Sequence, residues 1–114
     1  MKTVRQTIIY VGLSDSDTHE QKYDTERYLS ILKNVCKSYH VGFSVHSVSG
    51  GYFHDDGSYV DENSLVLTLL DADGAVVKEI AKDLCVFFHQ ESVMVTSGES
   101  EIFYVRENLE DEII

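Results

Sequence analysis

Two stretches with a helical repeat of apolar residues, each set between stretches with a strand repeat, constrain this chain most. The helical stretches cover about residues 20–39 and 75–89. Residues 7–12 and 65–70 are apolar on both faces, which is typical of central strands, whereas residues 42–48 alternate between apolar and polar. The order strand, helix, strand, strand, helix, strand therefore predicts two βαβ-type halves.

This order favours a ferredoxin-like α+β sandwich, βαββαβ, with two helices on one face of an antiparallel sheet and an extra C-terminal strand or tail. A chain of 114 residues corresponds to one domain, since it can bury roughly 65% of its unfolded surface in a two-layer core. We expect this domain to span residues 1–106. Residues 107–114 contain four acids and are predicted to form a frayed acidic tail.

Local signals predict where several elements begin and turn. Thr18, with Gln21 three residues later, forms a capping-box pattern for the first helix. Asp71 or Asp73 is the predicted N-cap of the second helix. Residues 55–57 are typical of a hairpin turn, and residues 97–100 predict another turn before a last strand at 102–106.

The sheet face away from the helices is predicted to be uncovered. If Phe43, Leu67 and Val95 face the helices, the alternation of side chains along each strand predicts which residues lie on the other face. That set is Ile8, Tyr10, Ser44, His46, Val66, Thr68, Leu70, Met94 and Thr96. More than half of these residues are apolar, and an exposed apolar face on a small protein usually indicates a partner or a ligand.

The charge of the chain excludes some partners. A formal net charge of −11 argues against direct nucleic-acid binding through phosphates. Between Tyr39 and Val77 the chain has six acids and no Lys or Arg. We interpret this stretch as a solvated surface that favours solubility; the alternative is an acidic face that docks on a basic partner or mimics a nucleic acid. The sequence shows neither a signal-peptide core nor a membrane span, so we expect no membrane contact and a cytoplasmic location.

Two Cys–His pairs share one spacing, namely Cys36 with His40 and Cys85 with His89. Together they could provide the four ligands of a zinc site. We favour packed, reduced thiols, because a Cys on an apolar helix stripe is usually part of the core. Neither Cys lies at a helix N-terminus, where its pKa would fall, so Cys–His catalysis is not expected either.

Two other polar clusters contain residue types that bind ions. Asp15, Asp17 and His19 resemble the start of a calcium loop, but the glycine and the closing acid that such a loop needs are missing. Residues 54–56 are explained by the turn that they form. We therefore predict no metal and no cofactor.

Four short segments resemble a known family: residues 10–13 (Tyr-Val-Gly-Leu), Gly51 followed by residues 56–57 (Asp-Gly), residues 62–67 (Glu-Asn-Ser-Leu-Val-Leu) and, above all, residues 90–93 (Gln-Glu-Ser-Val). They are similar to the uncharacterised bacterial domain-of-unknown-function family 3574, over about residues 7–105. The resemblance implies a small ferredoxin-like α+β fold and a cluster of polar residues at strand starts, and it implies no activity.

The candidate ligand-binding residues lie in two groups. One is on the open face, and the other is at the starts of strands, where a polar side chain can either bind a ligand or tie a loop to the backbone. For Glu91 we expect the second role. The candidates are Tyr10, His46, Thr68, Met94, Glu62, Gln90 and Glu91, and no residue is predicted to be catalytic.

Three functions fit these patterns. The first is a non-catalytic binding module that forms homo-oligomers or holds a small, nucleotide-like ligand on its open face. The second is an acidic inhibitor or decoy, of phage or mobile-element type, that docks on a basic site of a partner protein. The third is a small cofactor-free enzyme of dimeric ferredoxin-like type, with His46 as its base; it rests on fold analogy.

Overall fold

One four-stranded antiparallel sheet and two helices organise the chain. A computed structural model describes residues 1–107 and 112–113. The elements in chain order are β1 (Lys2–Gly12), α1 (Thr25–Ser38), β2 (Ser44–Phe53), β3 (Tyr59–Leu70), α2 (Gly74–Phe87), β4 (Met94–Ile102), β5 (Tyr104–Val105) and β6 (Glu112–Ile113). The main sheet has the order β2-β3-β1-β4, and β5 pairs with β6. The predicted ferredoxin-like fold is thereby confirmed.

The core lies between one face of the sheet and the two helices. Alternate residues of β1 and β3 are fully buried there, and each helix contributes one apolar stripe. These residues are Ile9, Val11, Leu65, Leu67 and Leu69 from the strands, and Tyr28, Leu32, Cys36, Ile80, Leu84 and Phe88 from or next to the helices. The helical repeat in the sequence therefore identified the packing faces correctly.

The opposite face of the sheet carries the residues predicted for it. Tyr10 pairs with Val66 on one side and with Met94 on the other, and Val66 in turn pairs with His46. Directly paired residues point to the same side of a sheet, so this row lies opposite to the buried Ile9 and Leu67. His46 and Met94 are exposed, and Tyr10 is half-buried.

Both helix starts are capped by aspartate. The Asp73 side chain accepts a hydrogen bond from the Ala75 N–H (2.8 Å), so Asp73 is the N-cap of α2. It is one of the two residues predicted for this position. For α1 the predicted cap is wrong: the helix begins at Thr25, and Asp24 accepts from the Arg27 N–H (2.9 Å). Thr18 lies six residues earlier, in a loop, because the carboxylate of Asp15 already binds its backbone N–H (3.2 Å).

The predicted turn at residues 97–100 is also wrong. β4 is continuous from Met94 to Ile102, because β1 begins at Lys2 and pairs with it along the whole length, from Tyr10↔Met94 to Lys2↔Ile102. Ser and Gly in β4 reflect an exposed edge strand rather than a chain reversal. The expected last strand is shortened to β5. The frayed tail was predicted for residues 107–114. Of these, residues 108–111 and 114 lie outside the described part of the chain.

The β2–β3 hairpin extends beyond the rest of the sheet. β1 pairs with β3 only as far as Gly12↔Ser64, whereas β2 and β3 continue to Phe53↔Tyr59. We call residues 50–62 the hairpin arm. Its tip is the predicted turn, where Gly57 has a φ of 90°, a conformation that glycine adopts without strain.

No helix in the described part of the chain is long and apolar enough to span a membrane.

Candidate functional site

A cleft of about 370 Å³ lies at the end of the sheet from which the hairpin arm projects. Three segments form its walls: the loop between β1 and α1, the hairpin arm, and the turn between α2 and β4. Its lining is Ser14, Asp15, Ser16, His19, Tyr52, His54, Val60, Glu62, Gln90, Glu91 and Ser92. Polar groups from three distant parts of the sequence thus converge on one space, as in most ligand sites.

Glu62 forms one wall of the cleft and packs against bare backbone. Its Oε2 accepts a hydrogen bond from the backbone N–H of Ser14 (3.1 Å). The carboxylate lies over Gly12, where an added Cβ would be 2.6 Å from the same Oε2. The missing side chain of Gly12 therefore creates the place in which Glu62 is held.

Gln90 ties the α2–β4 turn to the β1–α1 loop. Its side-chain Nε2 donates to the carbonyl of Ser14 (2.6 Å), and its backbone N–H donates to the carbonyl of Cys85 (2.9 Å). The second of these bonds satisfies a free carbonyl at the end of α2. The anchoring role that we expected from Glu91 thus belongs to its neighbour.

Glu91 is exposed and lines the cleft. Within residues 1–107 its carboxylate has no hydrogen-bond partner, contrary to the sequence-based expectation that it ties the strand to backbone or hydroxyl groups. An ionised carboxylate only accepts hydrogen bonds, so the Ser14 carbonyl is satisfied by the side-chain N–H of Gln90 and not by Glu91. The Glu91 carboxylate remains available to a ligand.

Asp15 is a buried carboxylate that the sequence did not identify as central. Its Oδ1 accepts from the backbone N–H groups of Asp17 (2.9 Å) and Thr18 (3.2 Å). Its Oδ2 lies 2.7 Å from Nδ1 of His89 and 3.1 Å from Nζ of Lys22. A buried charge is tolerated only with such partners.

These contacts set the protonation state of Asp15. The hydrogen bond with His89 contributes most to lowering the pKa of the Asp15 carboxyl well below its ordinary range, with further help from the Asp17 N–H and from Lys22, while desolvation acts against it. Asp15 in turn raises the pKa of the Lys22 ammonium. The carboxylate is therefore ionised wherever the protein is folded near neutral pH.

Asp15, Asp17 and His89 bring ligand atoms within 4.8 Å of one another. The hydrogen bonds of Asp15 already use both of its oxygens, so the cluster is explained without an ion. Among the described residues, the paired Cys–His sets form no comparable cluster, since the His89 ring faces Asp15 and Asp17. Both cysteines are free thiols, as predicted, and burial raises the pKa of Cys36 to about 11.

Aromatic rings from the hairpin arm form the third wall. The rings of Tyr52 and His54 meet edge to face, with centroids 5.5 Å apart. Tyr52 is 46% exposed, so its ring is accessible to a flat ligand. On the other side of the arm the Tyr59 ring covers Gly51 and contacts Phe53, which stiffens the arm.

The structure divides the seven candidate residues into two places. Three of them, Glu62, Gln90 and Glu91, line the cleft. The other four, Tyr10, His46, Thr68 and Met94, lie on the open sheet face and do not line it. Successive side chains of β3 point to opposite faces of the sheet, so Glu62 lies on the same face as Val66 and Thr68. The cleft therefore opens at the end of the open sheet face.

The fold and the cleft together define a small α+β protein of ferredoxin-like architecture with a polar site at one end of its sheet. Residues 6–104 match the family described as "Protein of unknown function (DUF3574)", so the chain belongs to this family. No curated protein sequence matches it significantly.

The solved structures that resemble the chain include two of a phage enzyme and one of a nucleotide complex. A phage SAM lyase in complex with S-methyl-5'-thioadenosine has a TM-score of 0.65 and 26% identity, covering 84% of this chain and 81% of that one. The apo state of a phage SAM lyase gives 0.66 and 25%, with 85% and 81% covered. The GlnK–ATP complex of B. subtilis gives 0.55 and 11%, with 95% and 94% covered, a similarity of fold alone.

Proposed function

We propose that the cleft binds S-adenosylmethionine (SAM) and releases S-methyl-5'-thioadenosine, so that the protein acts as a SAM lyase. One observation carries this proposal: the chain is similar over 84% of its length, at 26% identity, to a phage SAM lyase solved with that nucleoside. A fold by itself hosts many functions. The chemistry of the cleft must therefore suit the ligand.

The charge of the cleft supports a cationic ligand. Glu62 and Glu91 are carboxylates on its walls, and the residues that line it include no Lys or Arg. SAM carries a sulfonium and an ammonium group, which such a site attracts. A nucleotide with several phosphates would instead be repelled, and this repulsion is a source of specificity.

The remaining lining suits a nucleoside. Tyr52 offers an exposed aromatic face against which an adenine ring can stack. The hydroxyls of Ser14, Ser16 and Ser92 can exchange hydrogen bonds with a ribose. A volume of about 370 Å³ also falls within the usual range for small-molecule sites.

The reaction removes a charge from sulfur. The bond between sulfur and the γ-carbon of the methionine arm breaks, and its electron pair stays on sulfur, which becomes a neutral thioether. In the same step, either solvent water takes a proton from the β-carbon and the electron pair of that C–H bond forms a double bond to the γ-carbon, or the carboxylate oxygen of the same arm attacks the γ-carbon and closes a lactone without loss of a proton. A carboxylate beside sulfur would stabilise the charged reactant and slow this step. We therefore assign the Glu62 and Glu91 carboxylates to the ribose hydroxyl groups of the ligand, which S-methyl-5'-thioadenosine retains.

Incubation of the purified protein with SAM tests the proposal. Mass spectrometry should detect S-methyl-5'-thioadenosine, and the mass and retention of the second product distinguish the alkene from the lactone. Calorimetry should show binding of S-methyl-5'-thioadenosine. Replacing Glu91 by Gln should weaken it roughly tenfold to a hundredfold, because a charge-assisted hydrogen bond contributes about 1.5–3 kcal/mol.

The matched control is Glu101→Gln, which makes the same charge change on β4 outside the cleft. This variant should bind and cleave as the parent does. If the parent binds S-methyl-5'-thioadenosine without cleaving SAM, the protein is the non-catalytic binding module of the first sequence-based hypothesis. Absence of both binding and cleavage contradicts the proposal.

We also propose that copies of this chain associate through the open sheet face and that the protein is cytoplasmic. The association is supported by the exposed apolar residue Met94 beside Tyr10 and Val66 in one row across the sheet. The location is supported by two free cysteines, which persist in a reducing compartment. The hypothesis of an acidic decoy for a basic partner has only the net charge of −11 in its favour. It predicts partner binding that falls steeply with salt.

A further inference from the structure

Four contacts join the β1–α1 loop to the α2–β4 turn, and one of them is the 3.3 Å contact between Nε2 of His89 and Oδ2 of Asp17. The backbone N–H of Ser16 donates to the carbonyl of His89 (3.0 Å), and the side chain of Gln90 donates to the carbonyl of Ser14 (2.6 Å). Between these two lies the 2.7 Å contact from Oδ2 of Asp15 to Nδ1 of His89. The loop and the turn that carry much of the cleft are thus joined at residues 89 and 90.

His89 occupies an unusual backbone conformation. Its φ is 51°, in the left-handed region that few residues other than glycine adopt and in which asparagine, aspartate and histidine are enriched among those few. This conformation ends α2 and turns the chain toward Gln90 and Glu91. The side-chain contact with Asp15 opposes the return of His89 to ordinary backbone angles.

Glu91 depends on this arrangement. Its carboxylate has no partner within residues 1–107, so its place in the cleft is set by the backbone that precedes it. Asp15 is 3% exposed, and both of its oxygens are bonded, which leaves it one fixed orientation. His89 itself does not line the cleft.

We infer that Asp15 and His89 are positioning residues, which hold Gln90 and Glu91 in the geometry that the cleft requires. The test of this inference by SAM cleavage rests on the proposed function, whereas its test by hydrogen exchange does not. His89→Asn is the decisive variant, because asparagine tolerates left-handed backbone but cannot reproduce the contact of the imidazole ring with Asp15. Asp15→Asn removes the same charge pair from the other side and serves as the second variant.

Asp73→Ala is the matched control. It removes the N-cap of α2, at the opposite end of that helix, and so lowers stability without touching the cleft. Hydrogen exchange of the Ser16 and Gln90 amides, both hydrogen-bonded in the parent, reports the local geometry. We expect the exchange rate of these two amides to rise roughly tenfold in His89→Asn. In Asp73→Ala the rate should change by no more than the loss of global stability accounts for.

For SAM cleavage, kcat/KM should fall by roughly tenfold or more in His89→Asn and stay within about twofold in Asp73→Ala. Unchanged exchange at Ser16 and Gln90 in both Asp15→Asn and His89→Asn overturns the inference, and so does an equal loss of activity in Asp73→Ala. If the parent shows no SAM cleavage, the proposed function fails, and the exchange measurement still decides the positioning role.

Discussion

At the scale of single residues, Gly12 determines whether Glu62 can reach its place in the cleft. An added Cβ at this position would overlap a flexible carboxylate rather than backbone, so the Glu62 side chain can move away at small cost to stability. The carboxylate would then lose its bond to the Ser14 N–H and shift from the wall of the cleft.

Gly12→Ala is therefore expected to separate binding from stability. Calorimetry should show that S-methyl-5'-thioadenosine binds at least roughly tenfold more weakly than to the parent. The midpoint of thermal unfolding should change by no more than about 3 °C. Gly42→Ala is the control, because an added Cβ there meets nothing within 4 Å. Unchanged binding in Gly12→Ala would show that Glu62 does not contact the ligand.

The sequence identified Glu62, Gln90 and Glu91 because its pattern predicted each as a polar residue at the start of a strand, although Glu62 lies within β3 and the other two precede β4. It gave no such signal for Asp15, whose partner His89 lies 74 residues away. Only the pairing of β1 with β4 brings the two together. Tyr52 was missed for a similar reason, since an exposed aromatic residue in a hairpin has no pattern that marks it as a wall of a cleft.

At the scale of elements, the start of α1 is the clearest difference between sequence and structure. The capping-box pattern favoured Thr18, yet Asp24 caps the helix. Both residue types are good caps, so local chemistry alone could not choose between them. The choice is made by Asp15, which holds residues 17 and 18 in a loop of its own.

Two alanine substitutions distinguish these caps. Asp24→Ala should destabilise the protein by about 1 kcal/mol, because it leaves the Arg27 N–H without its side-chain acceptor. This loss corresponds to a drop of roughly 3–5 °C in the midpoint of thermal unfolding measured by circular dichroism. Thr18→Ala should lower it by less than about 2 °C. The reverse order of effects would mean that the helix begins earlier in solution.

Element order and packing faces were predictable because the repeats of helix and strand are properties of consecutive residues. Strand length was not. β4 continues through residues that usually form turns, since its register is dictated by β1 across the sheet. Pairing between distant segments therefore overrides the local preferences of Ser97, Gly98 and Ser100.

At the scale of the whole molecule, the proposed association of copies depends on the open sheet face. Met94 is 59% exposed on this face, beside Tyr10 in the register of β1 and β4. A charge placed there would have to be buried in any complex that covers the face.

Met94→Lys is accordingly expected to shift the protein toward the monomer, as measured by sedimentation velocity at micromolar concentration. The control is Val86→Lys, which places the same charge at an apolar position of α2 that is 67% exposed, on the helix layer. Its association should match that of the parent. A parent that already sediments as a monomer contradicts association through this face.

The hairpin arm has a consequence for the thermodynamics of binding. Beyond Gly12 its strands pair only with each other, so its bending motion is restrained by two strands rather than by the core. A ligand that contacts Tyr52 on the arm and Glu91 on the α2–β4 turn must immobilise that motion when it binds. The entropy of the free arm then opposes association. Affinity in this cleft would thus depend on the stiffness of a segment that lies mostly outside it, and substitutions around Gly51 and Tyr59 would tune the binding constant without touching the ligand.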